Sequence, residues 1–339
     1  MSEMIETESL YREYDGSAFL VGTVENDESF SDVRENLLEL QALVSSLGVP
    51  VCGQEIINIR QYNPSLYVGQ GNARKIGNTA AELGASVIIF DSALGPSQQR
   101  NLERICHCKV IDRQEVILDI FAKRAWTKEA VLQVELARYR YFLPRLTGAW
   151  SHLSRQRGGG TGARGDGEKQ IEYDRRYLKR RIGEMNQELA LVRKQRDVQR
   201  KGRLRNGVPN AAIVGYTNAG KSTLLNALTG ADVLVKDQLF ATLDPSTRRC
   251  ILPGRQELLL TDTVGFVRKL PHTLVEAFKS TLEEAVIADF ILLVLDISNP
   301  QVESQWQTTL AVLDELEAAD KPMIIALNKV DQQKDPVVL

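Results

Sequence analysis

The chain has 339 residues, of which 43% are hydrophobic and 25% charged, so it has the composition of a globular protein with room for two or three domains. It contains no apolar run of about eighteen residues and begins with an acidic stretch, which argues against a membrane span and a secretory signal and predicts a cytoplasmic protein. The cysteines Cys52, Cys106, Cys108 and Cys250 are scattered and predict neither a disulfide framework nor a metal site.

Helical and strand patterns alternate over residues 1–125. Helical patterns cover 31–48, 72–84 and 95–106, and strand-like runs cover 49–59, 85–91 and 107–112. This alternation predicts a small amino-terminal α/β domain with a mainly parallel sheet. The glycines of "GQGNARK" (69–75) precede a helix and could cradle an anion, but the spacing of a phosphate-binding loop is incomplete, so a plain turn is favoured.

Residues 126–206 follow a different pattern, which predicts a long helical hairpin. A first helix from about residue 128 breaks near Pro144, and a second runs for nearly forty residues without proline. Apolar residues along the second helix have the spacing of a short coiled-coil seam: Ile171, Leu178, Ile182, Met185, Leu189 and Val192. Between the helices lies a Gly/Arg stretch, "RQRGGGTGARGDGEK" (155–169), which is expected to form the tip of the hairpin.

Positive charge is concentrated in this hairpin. Residues 151–205 contain sixteen Lys or Arg and seven Asp or Glu, a net charge of +9, which leaves −11 for the rest of a chain whose total is −2. A basic block on an acidic protein indicates a polyanion as its partner. The helices could also be solvated charged surfaces, and the tip could be a plain flexible connection.

Residues 207–339 contain four short apolar runs separated by helical patterns, which predict a second α/β domain with a mainly parallel sheet. The run "GYTNAGKST" (215–223) fits the phosphate-binding pattern G-x-x-x-x-G-K-[ST] between a strand and a helix. Loop N–H groups are expected to surround the β-phosphate, with Lys221 on the β/γ oxygens and Ser222 on Mg²⁺. The expected nucleotide contacts in this loop are Gly215, Tyr216, Thr217, Asn218, Ala219, Gly220, Lys221, Ser222 and Thr223.

Three further motifs follow in the order expected of a guanine-nucleotide switch. "FATLDPSTR" offers Thr242 as a switch hydroxyl for the metal, and "TDTVG" offers Asp262 for Mg²⁺ and the Gly265 amide for the γ-phosphate. "NKVD" follows a strand-like run, and Asp331 can accept hydrogen bonds from guanine N1 and the exocyclic amine, which adenine cannot match. Further nucleotide contacts are expected from Phe240, Ala241, Asn328 and Lys329. The motifs together predict binding of GTP and GDP.

The residues expected to support GTP hydrolysis are Lys221, Thr242, Gly265 and Asn218. Many small GTPases carry a glutamine that orients the attacking water directly after the glycine that corresponds to Gly265. This chain has Phe266 at that position, so slow intrinsic hydrolysis is expected. Asn218 either helps to hold a monovalent cation such as K⁺ or only shapes the loop.

These motifs, with "YVGQGNARKI", the Gly/Arg stretch and "YDRRYLKRRI", resemble the HflX GTPases, within the class related to Obg-like translation GTPases, over about residues 35–333. The resemblance implies a cytoplasmic, ribosome-associated GTPase that binds the large ribosomal subunit and, under stress, separates stalled ribosomes. It also implies that the tip probes ribosomal RNA through Arg155, Arg157 and Arg164. No DNA partner, no integral membrane association and a monomeric chain are expected.

The GTP-binding domain is expected to be incomplete after "NKVDQQKDPVVL", with weaker guanine binding as a consequence. One alternative function is an RNA- or ribosome-binding factor that uses the nucleotide only as a regulatory clamp. Another is an additional ATP-dependent RNA-remodelling activity in the amino-terminal domain, supported only by "GQGNARK" and the alternating pattern.

Overall fold

The computed structural model describes residues 16–25, 28–146, 163–204, 207–230, 239–240, 242–269 and 282–332, with only the backbone course for 163–171 and 197–204. The chain divides into two compact units, residues 1–120 with 138–183 and residues 121–137 with 184–339. The sequence-based domain boundaries near residues 125 and 206 stay a prediction. None of the described helices is long and apolar enough to span a bilayer.

The first unit contains a parallel four-stranded sheet. Its elements are β1 (Ser17–Val24), α1 (Phe30–Ser46), β2 (Val51–Asn58), α2 (Gln70–Glu82), β3 (Ala85–Phe90), α3 (Pro96–Cys106) and β4 (Lys109–Asp112). The strand order is β2-β1-β3-β4, and all three pairings are parallel. The α/β prediction is confirmed, but the sequence analysis did not identify β1, which lies in the centre of the sheet.

Local sequence explains where the helices of this unit begin and end. The Ser29 hydroxyl accepts a hydrogen bond from the Ser31 N–H at the start of α1, and the chain leaves the helix at Gly48, where φ is +83°. Pro96 occupies the first turn of α3, where its missing N–H costs nothing, and His107 ends the helix in the left-handed conformation. Apolar side chains from one face of the sheet pack with α2 and α3 into a core that includes Phe19, Ile76, Ile88, Phe90 and Leu102.

Among the described residues, the middle of the chain contains three helices and a short 3₁₀ segment. They are α4 (Arg113–Arg124), α5 (Lys128–Phe142), a 3₁₀ turn at Leu143–Arg145 and α6 (Ala163–Leu204). The break at Pro144 and the long second helix are as predicted, although α6 begins inside the Gly/Arg stretch. Along the predicted seam, Leu178, Met185 and Leu189 are buried, whereas Ile182 and Val192 are half-buried; Ile171 lies outside the described side chains.

The second unit contains a five-stranded sheet. Its helices and strands among the described residues include β5 (Asn210–Gly215), α7 (Lys221–Thr229), β6 (Ser246–Ile251), β7 (Glu257–Asp262), β8 (Phe290–Asp296), α8 (Val302–Glu315) and β9 (Met323–Asn328). The order is β6-β7-β5-β8-β9, parallel except for β6, which the sequence analysis did not identify. Because β5 lies between β7 and β8, the carboxyl ends of these strands form a topological switch point, where ligands bind in such sheets.

Candidate functional site

The loop after β5 turns into α7 at this switch point and forms the centre of the candidate site. The Thr217 N–H donates to the Phe266 carbonyl (2.8 Å), and the Phe266 N–H donates to the Gly215 carbonyl (3.2 Å), so the loop is paired with the segment after β7. Lys221 is buried and its Nζ donates to the Tyr216 carbonyl (2.8 Å). Burial lowers the pKa of Lys221 to about 8, while the nearby Asp262 carboxylate opposes this shift.

Three predicted metal-binding side chains meet at one point. Ser222 Oγ and Thr242 Oγ1 lie 2.8 Å apart, and each donates to Asp262 Oδ2, at 2.6 Å and 2.9 Å. Asp262 is fully buried, and this burial raises its pKa, whereas Lys221 and the two hydroxyls oppose the rise. Asp262 Oδ1 has no hydrogen-bond partner among the described residues.

This donor set fits Mg²⁺. The ion takes oxygen ligands, keeps several waters and is bound in nucleotide sites by one or two protein groups together with phosphates. Two hydroxyls and one buried carboxylate with an unpaired oxygen match that requirement. Within the described ranges, there is no group of three or more His, Cys, Asp or Glu side chains that could hold a metal ion.

The segment after β7 lies very close to Lys221. A Cβ added to Gly265 would lie 2.7 Å from Lys221 Nζ and 2.8 Å from Thr217 Cα, so this position has space only for glycine. The Phe266 side chain is fully buried, and the Arg268 N–H donates to the Tyr216 hydroxyl (2.6 Å). The segment is therefore held against the phosphate-binding loop through both backbone and side-chain contacts.

The predicted base-recognition motif lies at the end of β9, beside the same loop. Asn328 Nδ2 donates to the Ala219 carbonyl (2.7 Å), and Lys329 Nζ donates to the Asn218 carbonyl (2.9 Å). Lys329 also forms an ion pair with Asp296 at the end of β8 (2.6 Å). Asp331 is exposed in the following 3₁₀ turn. The sequence analysis did not identify Asp296. Its position at the carboxyl end of a strand-like run could have indicated it, because ligands bind at that edge of such sheets.

The structure brings most of the predicted nucleotide contacts together. Asn218 has φ of +62°, a conformation that asparagine tolerates, and Phe240 is buried, whereas Thr223 is exposed on α7. Ala241, Arg155 and Arg157 lie outside the described residues. For Arg164 the structure gives only its backbone position in α6.

Three protein-family models match consecutive parts of the chain. They are described as GTP-binding GTPase N-terminal (residues 34–122), GTP-binding GTPase middle region (124–203) and 50S ribosome-binding GTPase (210–329). The crystal structure of SsGBP in complex with GDP is similar with a TM-score of 0.53 and 28% identity, over 94% of this chain and 84% of that chain.

Curated relatives match nearly the whole chain. The GTPase HflX of Akkermansia muciniphila is 53% identical over 93% of this chain and 74% of its own length. The GTPase HflX of Lacrimispora saccharolytica is 50% identical over 100% of this chain and 78% of its own length, and that of Escherichia coli K12 is 48% identical over 89% and 70%. The chain belongs to the HflX family of GTPases, and it is a P-loop enzyme that binds guanine nucleotides and hydrolyses GTP.

Proposed function

We propose that this GTPase binds the large ribosomal subunit in its GTP-bound form, separates or rescues stalled ribosomes under stress, and is reset by GTP hydrolysis. The match of residues 210–329 to a family described as 50S ribosome-binding GTPase carries this proposal. This function requires a cytoplasmic, ribosome-associated protein.

The charge on α6 supports an RNA partner. Arg175, Arg176, Lys179 and Arg180 are all exposed, and their spacing places them along one face of the helix. Arg176 forms an ion pair with Glu172, and its side chain is still 78% exposed. Exposed arginine and lysine residues in this arrangement suit a phosphate backbone, and the Gly/Arg stretch with Arg155, Arg157 and Arg164 is the proposed element that reads ribosomal RNA.

The proposed roles at the nucleotide follow from the contacts around the loop. N–H groups of residues 215–220 surround the phosphates, and Lys221 neutralises charge on the β- and γ-phosphates. Ser222, Thr242 and Asp262 would hold Mg²⁺, which supplies positive charge against the phosphate oxygens when bound. Asp331 would recognise guanine beside Asn328 and Lys329, and Asn218 is a candidate to help hold K⁺.

The alternative function, a binding factor that uses nucleotide only as a clamp, is favoured by one observation. Phe266 occupies the glutamine position, and its side chain is fully buried, so it cannot orient a water molecule. Under this alternative, hydrolysis would be unimportant for release, and binding would follow nucleotide occupancy alone.

Co-sedimentation with isolated ribosomal subunits tests the proposal. The chain is mixed with large or small subunits in the presence of GDP or a non-hydrolysable GTP analogue. A triple variant, R155Q/R157Q/R164Q, is compared with R248Q/R249Q/R255Q, which loses the same charge from exposed positions elsewhere. The proposal predicts analogue-dependent binding to large subunits that the tip variant loses and the control keeps. Equal losses in both variants would show general charge attraction, and no binding by the folded wild type would contradict the proposal.

A further inference from the structure

The phosphate-binding loop, in which Thr217 is an expected nucleotide contact, contains a buried hydroxyl group whose own hydrogen-bond partner has not been assigned. Thr217 is 6% exposed, and its Oγ1 has no hydrogen-bond partner among the residues that the structure describes. A buried hydroxyl without a partner destabilises a folded protein, because water would have satisfied it in the unfolded chain. Such a group in a ligand site is therefore a candidate for a contact made only with the ligand.

The position of Thr217 is defined by its neighbours. The Thr217 N–H donates a hydrogen bond to the Phe266 carbonyl (2.8 Å). Thr217 Cγ2 lies 2.8 Å, and Lys221 Nζ 2.7 Å, from the point that a Cβ on Gly265 would occupy. The Thr217 methyl group, the lysine ammonium and the Gly265 backbone thus lie around one small region, and the unpaired Oγ1 belongs to the same threonine side chain. In P-loop enzymes the lysine contacts the β- and γ-phosphates, so this region faces the γ-phosphate.

The same region lacks the usual hydrogen-bonding side chain for hydrolysis. Phe266 follows Gly265, is fully buried and has no polar atom in its side chain. Its backbone is already used, since its carbonyl accepts from Thr217 and its N–H donates to Gly215 (3.2 Å). Thr217, whose N–H donates to the Phe266 carbonyl, carries an unpaired hydroxyl that could supply a hydrogen bond that the Phe266 side chain cannot.

We propose that Thr217 is a catalytic residue whose hydroxyl donates a hydrogen bond to a γ-phosphoryl oxygen during GTP hydrolysis. Water attacks the γ-phosphorus, a new P–O bond forms, and the bond to the β,γ-bridging oxygen breaks, giving GDP and inorganic phosphate. The proton of the attacking water passes to a γ-phosphoryl oxygen, and Thr217 neither gains nor loses a proton. Its hydrogen bond stabilises the charge that spreads over the γ-phosphoryl oxygens in the transition state. The inference rests on GTP hydrolysis and is independent of ribosome binding.

Two substitutions at one position separate the hydroxyl from the shape of the side chain. T217V keeps the branched shape and replaces Oγ1 with a methyl group, whereas T217S keeps the hydroxyl and removes Cγ2. Single-turnover hydrolysis of GTP with enzyme in excess reports the chemical step. Affinity for GDP, which has no γ-phosphate, and the thermal midpoint of the nucleotide-free protein are measured for each variant.

The expected result is a separation between catalysis and stability. T217V should hydrolyse GTP about 100- to 1,000-fold more slowly, the scale of losing one hydrogen-bond donor to transition-state charge. Its GDP affinity should stay within about twofold, and its thermal midpoint should be unchanged or higher, because an unpaired buried hydroxyl has been removed. T217S should keep most of the hydrolysis rate. Hydrolysis by T217V at the wild-type rate overturns the proposal, as does an equal loss in T217S or a parallel loss of GDP affinity, since each would assign Thr217 a structural role.

Discussion

The carboxylate of Asp244 accepts hydrogen bonds from the backbone N–H groups of Trp126 (3.0 Å) and Thr127 (3.3 Å), and the Thr127 hydroxyl donates to its other oxygen. Thr127 Oγ1 also accepts from the Ala130 N–H (3.2 Å), so both residues satisfy N–H groups at the start of α5. Asp244 lies two residues after Thr242 in the predicted switch motif. Any movement of this segment with nucleotide state therefore changes the capping of α5.

Removal of this cap should destabilise the protein and affect nucleotide discrimination. D244A loses the acceptor for two N–H groups and the negative charge at a helix N-terminus, so the free energy of unfolding should fall by about 0.5–2 kcal/mol. D244N keeps one acceptor oxygen and should lose less. Urea unfolding of the three proteins measures the effect, and a D244A value equal to wild type would contradict the capping role. D244A should also weaken binding of a GTP analogue more than binding of GDP, because it loosens the segment that carries Thr242.

An aromatic contact joins the carboxyl-terminal part of α4 to Phe240, which precedes Thr242 in the predicted switch motif. The rings of Phe121 at the end of α4 and Phe240 lie with centroids 4.6 Å apart at an interplanar angle of 72°, and both side chains are buried. Such edge-to-face pairs contribute about 0.5–1.5 kcal/mol beyond the area that they bury. A double-mutant cycle with F121L, F240L and the double variant should therefore show a coupling energy of this size in urea unfolding. Simple additivity of the two single changes would show that the rings do not interact specifically.

Base specificity should depend on Asp331. Guanine donates from N1 and its exocyclic amine to a carboxylate, whereas an asparagine at this position offers one acceptor and one donor. D331N should lower GDP affinity by about 100-fold or more and raise affinity for xanthosine diphosphate, which has a carbonyl in place of the amine. Competition binding with both nucleotides measures the change. D320N, at an exposed aspartate before β9, is the matched control. Unchanged GDP affinity in D331N would place guanine recognition elsewhere.

A buried ion-pair cluster should dominate the stability of the first unit. Arg113 is 3% exposed and donates to Asp91 Oδ1 (2.9 Å), while its other terminal nitrogen pairs with Glu39. R113M removes the positive charge and leaves the Asp91 carboxylate buried without a counter-charge from Arg113. The free energy of unfolding should therefore fall by about 3–5 kcal/mol. The double variant R113M/D91N should recover part of this loss because the uncompensated charge is gone. If the double variant is as unstable as the single one, the loss comes from packing and not from charge.

The buried apolar runs and the motifs of the nucleotide site could be read from the sequence. β5, β7, β8 and β9 each appear as a short apolar run, and the phosphate-binding loop has a fixed pattern. β1 was missed because Gly22 weakens its strand signal. The structure needs this glycine, since a Cβ there would lie 2.8 Å from Val33 Cγ1. β6 was missed because Arg248 and Arg249 are exposed on an edge strand and give it a polar sequence.

Contacts between distant parts of the chain could not be predicted in this way. The ion pair of Lys329 with Asp296 and the hydrogen bonds of Asp244 to the start of α5 depend on how strand ends and loops are brought together. The unpaired Thr217 hydroxyl is likewise a property of packing. Sequence patterns record which residues are apolar or fit a motif, whereas these pairings depend on tertiary structure.

If this GTPase acts on the large ribosomal subunit, as proposed above, large subunits should change its rate of GTP hydrolysis. Hydrolysis is measured for the chain alone, with isolated large subunits and with isolated small subunits, in a single-turnover format. Because Phe266 cannot orient water, we expect slow hydrolysis by the chain alone, at least about tenfold acceleration by large subunits, and little change with small subunits. Equal rates in all three conditions, from a chain that is folded and binds GTP, would contradict the proposed action on the large subunit.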